Sequence, residues 1–264
     1  FKGMNFSVVA ACASSSNALI DAMNYIRLGK ADALVVGGAE AAITQLGIGA
    51  FGAMKALSER NENPQTASRP FDKDRDGFVM AEGAGCMIVE SLEHAKKRGA
   101  KIYAEIAGGA MNADAYHITA PNPTGESIID VMQDALEDAN LLTTEIDYIN
   151  VHGTSTPLGD VAEINAIRNV FAEHVYDLNI SATKSMTGHL LGAAGIVEAI
   201  VSVLALQKNI VPPTINHFTD DADFDKKINF TFHQKQEKII NAVLSNNFGF
   251  GGHNTSLVFK KYVD

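Results

Sequence analysis

The sequence predicts an α/β fold built from two similar halves, and three observations carry that prediction. Short apolar, β-branched runs alternate with stretches whose apolar residues recur at helical spacing. Small-residue or Gly-rich turns join them, as in 11–16, 152–160 and 247–254. The pattern also repeats: residues 6–28 and 179–206 each give a short strand, a turn with one reactive side chain (Cys12, His189) and a small-residue helix. A duplicated α/β half of this kind would bring strand-end side chains to one crevice where the halves join.

Taken in order, residues 6–10 read as a buried strand, with Cys12 at the turn that follows. Ala18, Leu19, Ala22, Met23 and Ile26 then mark a helix closed by Gly29. Residues 33–39 read as a fully buried strand, so the strand–helix–strand unit predicts parallel pairing. Phe51 stands alone among small residues in 44–55. A polar, turn-rich stretch follows over 58–80. Its Asp72, Asp74, Asp76 and Gly77 imitate a calcium loop, but the twelfth position is Gly83 rather than Glu, so the metal reading is rejected. Residues 85–90 read as a strand that makes Cys86 structural, 91–98 as a short charged helix and 102–107 as a strand. An irregular loop (112–123) leads to an amphipathic helix over 126–140. Strand and helix then alternate: 147–151, a helix through Val170, 179–183, a long apolar helix over 190–206 with Glu198 its only charge, and strands at 242–248 and 256–260.

A chain of 264 residues, 46% hydrophobic, suffices for one large domain or two intimate ones. Its formal net charge of -10 argues against a nucleic-acid or anionic-membrane binder. Two cysteines make no disulfide framework and suit a reducing cytoplasm. The apolar stretches are interrupted before the ~20 residues of a membrane span, so none is expected. The chain opens on Phe1 with a core-like strand almost at once, and so reads as a fragment or processed chain.

Cys12 would lie in the first turn of a helix, where free amides and the helix dipole favour a thiolate. On that stretch alone it reads equally as a nucleophile or as a small buried hydrophobe. His152 and His189 also follow buried strands and precede helices. One such histidine is usually structural; two, with a cysteine in the equivalent place, point to a shared site. No His or Cys pair has zinc-ligand spacing.

Four motifs, in this order, resemble the β-ketoacyl-[acyl-carrier-protein] synthases, the elongating type II enzymes of bacterial fatty acid synthesis in particular. They are Ala11-Cys12-Ala13-Ser14-Ser15, His152-Gly153-Thr154-Ser155-Thr156-Pro157-Leu158-Gly159-Asp160, Lys184-Ser185-Met186-Thr187-Gly188-His189 with its Gly/Ala-rich continuation to Gly195, and Asn247-Phe248-Gly249-Phe250-Gly251-Gly252-His253-Asn254. The resemblance runs from end to end and leaves the upstream part of the family's first half missing. It implies a thiolase-like fold of two α/β halves in αβαβα layers, with residues 1–101 ending the first half and 102–264 forming the second. It implies an acyltransferase performing decarboxylative Claisen condensation of a Cys-bound acyl chain with malonyl-acyl carrier protein, adding two carbons, with no cofactor and no metal.

By the same resemblance Cys12 carries the acyl group, and the N–H groups of Cys12 and Phe250 form the oxyanion hole. His152 and His189 each present an Nε2–H to the enolate, and need not be charged. Lys184 orders the polar cluster, with Glu163 and Glu198 as acidic partners. Thr154 and Thr156 bind the pantetheine arm, Phe250 gates the acyl chain and Phe51 walls its tunnel. Acyl carrier protein is acidic, so docking needs local cations: Lys55, with Arg60 and Arg69 as weaker candidates. The strand before Cys12 resembles the edge through which the family forms homodimers. His253 departs from the family, which has a small polar residue there. A polyketide-synthase ketosynthase domain and a catalytically inert truncated fragment stand as the alternatives.

Overall fold

Local signals delimit the elements of the first half. A tight 3-10 turn over Ala11–Ala13 leads into α1 (Ser14–Arg27), followed by β1 (Ala33–Glu40), α2 (Gln45–Ala53), β2 (Gly83–Glu90) and α3 (Leu92–Lys97). The Thr44 hydroxyl caps α2 by accepting the N–H of Gly47, and Ser91 caps α3 by accepting that of His94. β1 and β2 form an antiparallel ribbon, from Ala33↔Glu90 to Glu40↔Gly83. This computed structural model describes residues 2–263.

The second half holds β3 (Glu105–Ala113), α4 (Glu126–Ala139), β4 (Tyr148–Asn150), α5 (Pro157–Phe171), β5 (Asn179–Ser181), α6 (Lys184–Thr187) and α7 (Ala194–Lys208). The short β6 (Ile210–Val211) and β7 (Gln236–Glu237) pair with each other before β8 (Ala242–Gly249) and β9 (His253–Lys260). A five-stranded sheet runs β3-β9-β8-β4-β5. β4 lies parallel to β5 and β8, while β9 is antiparallel to β8 and β3. The parallel strands therefore end together, and the loops after β4 and β5 open on one side.

Two apolar cores flank that sheet. Met132, Ile149, Ile167 and Leu244 fill the side covered by α4 and α5. Leu19, Ile20, Ile196, Leu206 and Phe259 fill the side covered by α1 and α7, with Val36 of the ribbon closing it. Helices, sheet, helices and ribbon thus stack in successive layers. α7 with its preceding turn (Leu191–Lys208) is long and apolar enough to cross a membrane by length and composition alone, but 61% of it is buried in these cores.

The structure corrects four sequence expectations. Residues 6–9 are not a buried strand: they have no strand assignment, and Phe6 and Val9 are 50% and 87% exposed. An extended segment without a paired neighbour leaves its side chains in water. Among the described residues β1 pairs only with β2, antiparallel rather than parallel, and it is not fully buried; Val35 and Ile88, opposite each other, are 55% and 62% exposed. Cys86 on β2 is exposed rather than a core residue.

The repeated design holds for the turn and the helix but not for the strand, and it is shifted. Both small-residue helices begin with a 3-10 turn, Ala11–Ala13 and Leu191–Ala193, and both turns open at φ 48 on a non-glycine residue, Ala11 and Leu191. The backbone counterpart of Cys12 is therefore Gly192, with His189 ahead of the turn. α1 and α7 meet at their starts. The Ser15 Oγ accepts the Ile196 N–H at 2.9 Å, and a Cβ on Gly195 would fall 2.1 Å from Ser16 Oγ and 2.7 Å from Ser16 N. Gly195→Ala is accordingly expected to destabilise the fold by about 3 kcal/mol, read as a lower urea midpoint.

Candidate active site

The 3-10 turn that opens α1 places Cys12 at the join of the halves, 8% exposed. The loop after β4 supplies His152, and the turn between α6 and α7 supplies His189, both buried. His189 Nε2 lies 3.1 Å from the Cys12 sulfur. The two imidazoles meet edge to face, with centroids 5.2 Å apart and planes at 88°. All three expected groups therefore share one pocket. The Leu191 N–H donates to His189 Nδ1 at 3.3 Å, so the neutral ring carries its proton on Nε2, facing the sulfur. His152 Nδ1 is buried without a hydrogen-bond partner among the described residues, so no such bond fixes its tautomer.

Burial keeps both imidazoles well below the ordinary histidine value, and the Lys184 cation reinforces this. They are neutral donors at neutral pH. In a pH titration followed by NMR, the ring resonances of His152 and His189 are expected not to move between about pH 8 and 6, through the ordinary histidine range. Burial also pushes the Cys12 thiol up to about 11, against the pull of Lys184 and of the Phe250 and Cys12 N–H groups. The helix start does not make Cys12 a resting thiolate; desolvation outweighs it. Those two amides do converge on the sulfur. Gly249 makes their approach possible, since a Cβ there would stand 2.7 Å from Ala10 O and 3.0 Å from Cys12 N.

The expected acidic residues have separate tasks. Lys184, 1% exposed, makes a short ion pair with the buried Glu198 carboxylate. Glu198 Oε2 also accepts from Asn247 Nδ2 at 2.6 Å, and Asn247 Oδ1 accepts from the Ser16 hydroxyl at 2.5 Å. Glu163 makes no ion pair with the lysine, which acts on it only through space. Its oxygens accept the N–H groups of His152 and Gly153, each at 2.8 Å, and so fix the histidine's backbone. Burial nevertheless pushes Glu163 up to about 7.

Thr154 and Thr156 line the same cleft, with their hydroxyl oxygens 3.0 Å apart. Phe51 packs against two rings that line the pocket, Phe78 and Phe250, at centroid separations of 5.5 and 6.3 Å. Phe250 is half-buried, ahead of Gly251 and Gly252 at φ 90 and 77, the left-handed conformation that glycine adopts without strain. His253 is exposed and does not enter the pocket.

The three expected docking cations fare differently. Lys55 is exposed just beyond α2. Arg60 is half-buried, its guanidinium donating to Asp74 O at 2.8 Å. Arg69 is corrected: only 6% exposed, it donates to Thr66 O at 2.8 Å and lies 3.5 Å from Asp72 Oδ1, so it braces the loop from inside.

Sequence reasoning missed Phe78, whose ring packs edge-on against His189 at 5.3 Å, because nothing marks one phenylalanine in a polar stretch. It also missed Asn247, although that residue opens the fourth motif.

A buried cysteine, two neutral imidazole donors and a buried lysine are thus gathered at one cleft of a doubled α/β frame. Residues 1–95 match the N-terminal domain of β-ketoacyl synthases, and residues 103–218 match the C-terminal domain. The chain belongs to the β-ketoacyl synthase family, and its fold is the thiolase-like fold of that family.

Among named relatives, the 3-oxoacyl-[acyl-carrier-protein] synthase 2 of Coxiella burnetii is 50% identical over 263 residues, 100% of this chain and 63% of the relative. That of Synechocystis sp. is 51% identical over 261 residues, 99% of this chain and 62% of the relative. The chain thus spans a little over three-fifths of these relatives' length.

Two solved structures superpose closely. One is the AntDE:AntF complex of a type II polyketide-synthase acyl-carrier protein with its ketosynthase, at TM-score 0.93 and 40% identity, covering 97% of this chain and 64% of that one. The other is a β-ketoacyl synthase from Burkholderia phymatum, at TM-score 0.91 and 40% identity, covering 97% and 61%.

Proposed function

We propose that the protein elongates acyl chains by decarboxylative Claisen condensation with malonyl-acyl carrier protein, as a 3-oxoacyl-[acyl-carrier-protein] synthase of fatty acid synthesis. The observation that carries this reading is the 3.1 Å approach of His189 Nε2 to the Cys12 sulfur, inside a pocket it shares with His152. In the first half-reaction the sulfur attacks the acyl thioester. The thiol proton leaves with the released carrier thiol, so acyl-Cys12 and free carrier result. The Cys12 and Phe250 amides hold the tetrahedral oxyanion.

In the second half-reaction malonyl thioester loses CO2, and its electrons pass to the enolate oxygen, which accepts hydrogen bonds from His152 and His189. The enolate carbon then attacks acyl-Cys12, and the sulfur departs as thiolate and takes a proton from water to restore the resting thiol. Neutral imidazoles suit this role, because a donor is needed and a full positive charge is not. In that high-energy state the donors facing the sulfur lower the cost of a charge that burial opposes at rest.

Thr154 and Thr156 hold the pantetheine arm, Phe51 and Phe250 flank the entry of the acyl chain, and Lys55 meets the acidic carrier. The exposed apolar segment 6–9 pairs across a two-fold axis in a homodimer, and the halves join near residues 101 and 102. The free cysteines fit a reducing cytoplasm.

The test is turnover of purified full-length protein with acyl- and malonyl-acyl carrier protein. Expected are one CO2 and one 3-oxoacyl thioester per cycle, both lost on alkylation of Cys12. Turnover that survives alkylation overturns the assignment, and an inert fragment predicts no Cys12 modification by an acyl mimic. The polyketide reading draws on the AntDE:AntF likeness; repeated condensation without intervening reduction would favour it.

A further inference from the structure

The polar stretch 69–77 binds no calcium in the reading above and takes no part in the chemistry, yet it surrounds one arginine with unusual care. Arg75 is 7% exposed. Its Nε donates to Thr156 O at 3.3 Å and its Nη2 to Pro157 O at 3.0 Å. Its Nη1 donates to Asp72 O at 2.9 Å and to Asp221 Oδ2 at 2.5 Å. The guanidinium carbon sits 4.9 Å from the centroid of the Phe224 ring. Asp160 Oδ2 lies 3.8 Å from Nε, and Asp160 accepts the N–H groups of Ser155 at 3.1 Å and Phe71 at 3.0 Å.

This arrangement differs from a simple ion pair. Two donors of one planar fork go to consecutive carbonyls, Thr156 and Pro157, where the loop after β4 becomes α5. Lysine offers no such fork. The same loop is gripped elsewhere by the same stretch: the Arg69 N–H donates to Ser155 Oγ and the Gly77 N–H to Ser155 O, both at 3.0 Å. Ser155 itself has φ 69, a left-handed conformation that a non-glycine residue keeps only when its surroundings enforce it. On either side of it stand Thr154 and Thr156, which line the cleft and whose hydroxyls contact each other.

From this geometry we infer that Arg75 is a positioning residue for the substrate arm: by holding the Thr156 and Pro157 carbonyls it sets the spacing and direction of the Thr154 and Thr156 hydroxyls. The inference rests on the thioester-condensation reading of the site. It separates two functions. Arg75 governs the grip on pantetheine, while the Cys12–His189 pair is held by other elements.

The test compares wild type, Arg75→Lys, Arg75→Met and Asp221→Ala in the full-length protein. Acyl-loaded enzyme is assayed with malonyl-pantetheine, and Cys12 alkylation by iodoacetamide is timed in parallel. The expected result for Arg75→Met is a KM raised by about tenfold, with kcat changed less than about threefold and the alkylation rate unchanged. Arg75→Lys keeps the charge without the fork and should recover only part of the KM. Asp221→Ala removes one anchor, a carboxylate only 15% exposed, and should raise KM by about threefold even if Arg75→Met fails to fold. An unchanged KM in these folded variants overturns the inference, as does parallel loss of KM, kcat and alkylation, which a merely structural arginine would give. Absence of condensation by wild type itself would instead overturn the reading of the site.

Discussion

Cys12→Ala in the full-length protein is expected to lose condensation by at least ~10⁴-fold while malonyl thioester decarboxylation continues. The two steps use different atoms. Acyl transfer needs the sulfur, for which alanine has no substitute. Loss of CO2 needs hydrogen-bond donors at the developing enolate, and the two imidazoles remain. The pocket should survive, because Cys12 is a neutral thiol pushed up to about 11 by burial and no ion pair depends on it. The cavity left by one sulfur costs only about 1 kcal/mol. Measured CO2 release without 3-oxoacyl product is the expected signature. Condensation at the wild-type rate would remove Cys12 from the mechanism.

Lys184→Met is expected to cost about 3–5 kcal/mol, because it strands Glu198 as a buried unpaired carboxylate. The side chains of the pair are 1% and 4% exposed, so water cannot replace the lost cation. The cost should depend on pH with a definite sign. Burial already raises the Glu198 pKa, and removing the cation raises it further. A carboxyl whose folded pKa is raised takes up its proton more readily in the folded state. The variant therefore regains stability as pH falls, and loses it as pH rises through the folded value. Lys184→Met with Glu198→Gln should recover most of the loss at neutral pH. Urea denaturation at two pH values measures all three effects, and a single variant as stable as wild type would show that the pair is not needed.

Much of this was legible in the sequence because the decisive features are local. Apolar runs followed by small residues marked Cys12 and His152, and the periodicity over 126–140 marked a helix that the structure ends at Ala139. The sequence could not reveal which neighbour a strand would find. Residues 6–9 have the composition of a core strand yet lie exposed, since burial depends on a partner rather than on composition. Which of the two candidate partners, Glu163 or Glu198, pairs with Lys184 was also hidden. Both sit on helices at positions that look alike in one dimension, and only the turn of each helix decides whether a carboxylate meets a backbone amide or an ammonium. Arg69 and Arg75 look like surface cations in an acidic loop, but the loop folds inward around them.

The hydrogen-bonded relay from Ser16 through Asn247 and Glu198 to Lys184 has a consequence for protein engineering. Its first member lies in one half of the molecule and the other three lie in the other half. A chimera joining the first half of one homologue to the second half of another takes the Lys184–Glu198 pair whole from one parent, but keeps the Ser16–Asn247 hydrogen bond behind it only when both parents agree at that junction. Recombination at the interdomain boundary is therefore governed by a polar hydroxyl far from the crossover, and library design should carry Ser16 and Asn247 together.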